Sequence, residues 1–240
     1  MPNRIIGRYM KTLYLLLLAV PLAAQVTGTT PAQNKKALEL LRRQLPCLGC
    51  HELAGDGGRI GPSLTDVGQR RDAFYIKAII EDPQRVVPGA AMPRVLMPPA
   101  TRDLIVSYLT HSTYPQTAAA APGPARGPSA LSTPKAPLTG VALYARWCSS
   151  CHGPAGAGDG PNAKFLPVRP AVHASAAQMS SRSDDALFDA IAGGGTVMGK
   201  SARMPPFGAT LSPTEIRSIV AHIRTLCACK GPAWSTDDRR

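Results

Sequence analysis

The chain has 240 residues, with 27 Lys and Arg against 15 Asp and Glu, a formal charge of +12, six Cys, 22 Gly and 24 Pro. Aromatic residues make up only 5%, too few bulky side chains for two ordinary cores, so small domains here would need a staple, a metal or a cofactor. The basic residues are scattered, with no run interleaved with aromatics, which argues against nucleic acid as a partner.

Residues 1–24 read as an export signal. Arg4, Arg8 and Lys11 form a basic start, "TLYLLLLAVPLAA" follows, and Ala24 offers a small residue for cleavage. The apolar run falls short of the ~20 residues a spanning helix wants. An uncleaved anchor is the alternative, and membrane contact is expected only in that case.

The first helical pattern, "KKALELLRRQL" (35–45), sets Leu38, Leu41 and Leu45 on one face and leads into "CLGCH" at 47–51. A Gly-rich loop follows. "RDAFYIKAIIED" (71–82) predicts a helix with Asp72 as N-cap and Phe74, Ala78 and Ile79 at helical spacing, stopped by Pro83. After "PGAAMPRVLMPP", the stretch "TRDLIVSYLTH" (101–111) repeats the helical pattern with Leu104, Ile105, Tyr108 and Leu109. Residues 113–137, rich in Pro and Ala and without apolar periodicity, read as an extended linker.

The second flank follows the same order. "GVALYARWCSSCH" carries the second motif at 148–152, and "SDDALFDAIAGG" (183–194) begins at a Ser183 cap and stops at Gly193. "SPTEIRSIVAHIRTL" (212–226) has a capping box of Ser212 and Glu215, with Ile216, Ile219, Val220 and Ile223 as its buried stripe. Strand alternation is absent from both halves. The expected fold class is therefore all-α, an internal duplication with domains at 34–112 and 138–230 and a flexible tail at 231–240.

Zinc needs four ligands, commonly from two CxxC pairs close together, and each half has one CxxC with an adjacent His and no second CxxC. A thioredoxin-like site needs a βαβ context, which is missing. C-x-x-C-H is the haem-attachment pattern: two thioethers hold one porphyrin, and the next residue lies under its iron. On these residues the sequence resembles two tandem class I cytochrome c domains, over about residues 34–112 and 138–227.

The resemblance implies two covalent haem c groups. Cys47 and Cys50 would hold the first, with His51 on its iron; Cys148, Cys151 and His152 would serve the second. It also implies a Met as sixth ligand on a loop before the last helix of each domain. Met92 is the candidate in the first, with Met97 as competitor; Met204 in "MPPFG" is the candidate in the second, with Met198 as competitor. Met179 reads as core filling. The family uses a Pro carbonyl to accept from the proximal His ring, which points to Pro62 in "GPSL" and, in the second half, to Pro170 ahead of Pro161. His111, His173 and His222 read as structural: a helix end, a polar loop and a position beside a buried stripe. Cys227 and Cys229, one residue apart, lie outside both motifs, and a disulfide between them would be tight; they read as a helix-end pair without a redox task.

An iron closed by His and Met has no open position for substrate, so the resemblance implies single-electron transfer in the periplasm, as carrier or relay. Its partners would be redox donors and acceptors. The alternatives are a di-haem redox enzyme, peroxidase-like or thiosulfate-oxidising, and an electron-transfer subunit of a membrane oxidoreductase complex. Arg94, Lys200 and Arg203 are expected to border the exposed haem edges and steer an acidic partner.

Overall fold

The computed structural model describes residues 29–112 and 138–235. The export signal, the linker and the last five residues of the tail lie outside the described residues. The described chain is mostly helical, and none of its helices is long and apolar enough to cross a membrane.

Helix α1 (Pro31–Glu39) starts at a capping box of Thr30 and Gln33 with Pro31 at its first position, and it runs on as a π-helical turn over Leu40–Gln44. The sequence pattern placed the start four residues late, because Thr30 and Pro31 lie ahead of the apolar stripe. Helix α2 (Cys47–Cys50) is the single turn holding the first motif. Directly after His51, strands β1 (Glu52–Leu53) and β2 (Asp56–Gly57) form a minimal antiparallel hairpin, a departure from the strand-free expectation. Ala54 and Gly55 close it with positive φ of 51° and 85°, as a two-residue hairpin turn requires.

Helices α3 (Val67–Arg70), α4 (Ala73–Glu81), α5 (Pro83–Val86) and α6 (Pro99–His111) complete this half. Asp72 caps α4 by accepting from the Tyr75 amide, as its sequence predicts. The buried face of α4 is a correction, however. Phe74 is 83% exposed, whereas Ile76 is buried and Ile80 packs behind it. The Asp72 cap fixes where the helix begins, and Ile76 and Ile80 join the cluster that holds Ile105 and Leu109 of α6. One apolar cluster collects Ala37, Leu41, Leu48, Leu53, Ile76 and Ile105 with their neighbours.

In the second half, α7 (Gly140–Trp147) leads into α8 (Ser149–His152), the turn of the second motif. Helices α9 (Ala176–Met179), α10 (Asp184–Gly193) and α11 (Pro213–Cys227) follow. Ser183 caps α10, and Ser212 with Glu215 forms the predicted box on α11. Helix α11 packs along α7 and α10, burying Ile216, Ile219, Val220 and Ile223 in a second cluster with Leu143, Tyr144 and Met179. Cys227 and Cys229 are bonded to each other, with Ala228 between them in left-handed conformation (φ 46°).

Candidate functional site

Each CxxCH segment is built on one short helical turn, with His51 just past the end of the first and Cys148 just before the start of the second. Cys47, Cys50, Cys148 and Cys151 form no disulfide. Burial pushes the Cys47 thiol up to about 11 and the Cys148 thiol up to about 12. Cys50 also rises to about 12, from burial first and then from the Cys151 and Cys47 thiols beside it. Thiols raised this far are protonated at neutral pH.

The two histidines are held alike. His51 Nδ1 lies 2.7 Å from the Pro62 carbonyl oxygen, and His152 Nδ1 lies 2.9 Å from that of Ala171. A carbonyl only accepts, so in both rings Nδ1 carries the proton and Nε2 is left as a lone pair. Burial lowers both pKa values, with the carbonyl bonds opposing it, so both rings stay neutral. The first carbonyl is the one expected from "GPSL". The second corrects Pro170 by one residue: the loop turns so that the next peptide, that of Ala171, meets the ring.

Local packing explains the first arrangement. Glu52 accepts from Ser63 Oγ (2.5 Å) and Thr65 Oγ1 (3.1 Å), tying the segment after Pro62 back to the hairpin. Gly61 allows the close approach, since a Cβ there would lie 2.4 Å from the His51 ring. In the second half, the His173 ring stacks on His152 with centroids 4.0 Å apart and planes 12° apart, and Tyr144 hydroxyl lies 3.0 Å from His173 Nδ1. His173 is thus buried against the motif rather than in a polar loop. His111 bonds back to the Ser107 carbonyl of its own helix, as a helix-end His does.

Met92 is partly buried, and its carbonyl accepts from Gln84 Nε2 at 2.6 Å. Met97 lines a cleft of about 370 Å³ with Arg85, Arg94 and Arg102. Met204 packs against the second cluster, while Met198 is 39% exposed at the end of a 3-10 turn. Gly194 and Gly195 let the Met204 loop come close: the Gly195 amide donates to the Met204 carbonyl at 3.1 Å. Arg203 corrects the steering expectation. It is 9% exposed and points inward, donating to Asp56 and to the Leu48 carbonyl, so Arg94 and Lys200 alone of the three stay on the surface.

Two thiols and a neutral imidazole with free Nε2, presented from one turn, suit covalent attachment of a porphyrin and ligation of its iron; the donor set fits haem c. Residues 135–223 match the family model described as cytochrome c oxidase, cbb3-type, subunit III. That segment holds a class I c-type cytochrome domain, and with it go covalently bound haem c and an electron-transfer role with redox protein partners. No curated protein and no solved structure matches the chain.

Proposed function

We propose that the chain is a di-haem c-type cytochrome with domains at 34–112 and 138–230, passing single electrons between redox partners in the periplasm. The observation that carries this reading is the repeated construction: in both halves a CxxCH turn sets its His Nδ1 on a carbonyl further along the chain, Pro62 in one and Ala171 in the other. Haem supplies a reversible one-electron change at its iron. Cys47, Cys50, Cys148 and Cys151 would hold the two groups covalently, and His51 and His152 would offer Nε2 to the irons. The carbonyls of Pro62 and Ala171 fix each ring and raise its basicity. Met92 and Met204 would offer their thioether sulfurs as the remaining protein ligands to the irons, leaving no ready position for substrate or water. Pro93 and Pro205, which follow the two Met, restrict the backbone of each Met toward extended conformations.

The name of the matched family supports a second, compatible reading: an electron-entry subunit of a membrane oxidoreductase. Co-purification from membranes under mild detergent separates it from a free carrier. The reading as a whole is tested by redox titration of the holo-protein with optical and EPR spectra. Two low-spin His/Met centres are expected; a high-spin centre that binds carbon monoxide without mutation would favour an enzyme.

A further inference from the structure

Asn162 is 1% exposed, yet it is polar and sits in a loop. Its Nδ2 donates to the Gly49 carbonyl at 2.8 Å and to Cys151 Sγ at 3.3 Å, and its Oδ1 accepts from the Arg59 amide at 2.8 Å. One side chain therefore touches both CxxCH turns. Arg203 adds a second tie. Nη1 donates to the Leu48 carbonyl at 3.0 Å, and Nη2 reaches the Asp56 carboxylate at 3.1 and 3.0 Å. Leu48 and Gly49 are the two central residues of the first motif, so both ties from the second half grip the attachment turn itself.

The energetics make this boundary more than a surface touch. A guanidinium with 8% exposure costs several kcal/mol to bury unless it is paired and hydrogen-bonded. All the partners of Arg203 just described, and two of the three of Asn162, lie in the other half. The backbones also fit closely: a Cβ on Gly49 would lie 1.9 Å from the Arg203 carbonyl oxygen, and one on Gly58 would lie 2.7 Å from Asn162 Oδ1. Further bonds extend the contact, from the Arg94 amide to Thr210 Oγ1 (2.8 Å) and from Arg146 to the Gly89 carbonyl (3.3 Å).

We propose that Asn162 and Arg203 are positioning residues that clamp the first CxxCH turn against the second, so that the two haem sites exchange electrons directly through their attachment turns. The chain is then one coupled redox unit, not two carriers on a tether. This rests on the two-haem reading. The step is a bare one-electron exchange: one site is oxidised as the other is reduced, with no bond made or broken and no proton required.

The test uses the full holo-protein with a protease site placed within 113–137. After cleavage the wild-type halves should co-elute at micromolar concentration, and oxidised EPR spectra should show magnetic interaction between the two centres. Asn162→Ala with Arg203→Gln should raise the dissociation constant of the cleaved halves at least hundredfold and remove that interaction, while each half keeps its haem. Arg203→Lys, which keeps the charge but loses the fork, should fall between and guards against misfolding of the double variant. Wild-type halves that separate freely, or a double variant with unchanged EPR interaction, would overturn the clamp. A haem assay counts the groups: two non-interacting haems overturn the clamp alone, and a single haem overturns the two-haem reading together with it.

Discussion

Gly49→Ala is the smallest perturbation that reaches the boundary between the two motifs. The added methyl would lie 1.9 Å from the Arg203 carbonyl oxygen and 2.9 Å from its carbonyl carbon, where ordinary contact begins at 3.4 Å. Both near atoms are backbone, so no rotamer change relieves the overlap. The turn must retreat by about 1.5 Å, which stretches the 2.8 Å bond from Asn162 and the 3.0 Å bond from Arg203 out of hydrogen-bond range. Leaving two buried polar partners unmatched costs roughly 1–3 kcal/mol each, so the contact should weaken by about 2–6 kcal/mol. The CxxCH pattern is intact and Gly49 is helical, so haem attachment should persist. Denaturant melts followed at the haem band should change from one transition to two, with the weaker half moving most. A single transition at the wild-type midpoint would mean that the two turns do not bear on each other.

Three further outcomes follow from the site. Replacing both Cys47 and Cys50 by Ala, or both Cys148 and Cys151, should each leave one covalent haem on a denaturing gel stained for haem; two in either variant would refute the attachment assignment. Met92→Ala and Met204→Ala should each open one iron, lower its potential and admit carbon monoxide; if Met97→Ala does this and Met92→Ala does not, the ligand in the first half is Met97. His173 is held down at about 2 by burial and then by His152, Arg182 and His222. It stays neutral in the fold but takes up a proton in the unfolded chain below about pH 6.5, so its stabilisation is whole above that pH and declines as pH falls toward about 2. Unfolding at pH 7 and pH 5 should show about 2 kcal/mol of acid loss that His173→Gln lacks; an equal loss in the variant would contradict this.

Much of the site is legible in the sequence because its signals are local. The CxxCH turns, the Asp72 and Ser183 caps, the Ser212–Glu215 box and the stripe of α11 each lie within a few residues, and hydrogen bonding inside a short segment decides them. Pro62 was also within reach, since "GPSL" combines a bare Gly for close approach with a carbonyl on the next residue. Ala171 was not, because the loop after His152 is longer and any of several carbonyls can meet the ring. The buried face of α4 is ambiguous in the sequence, because two turns of mixed apolar residues allow more than one ridge. Asn162 and Arg203 left almost no local trace: their partners lie 113 and 155 residues away. An Asn in a Gly-rich loop reads as a turn residue and an Arg beside "MPPFG" as a surface charge until the fold brings them to the first motif.

Both halves are expected to carry haem. Intact mass of the denatured chain, produced by export through a cytochrome c maturation system, tests it most directly. A shift of two covalently attached haems is expected, with each haem peptide mapping to 47–51 or 148–152. A shift of one haem, or of none, would contradict it.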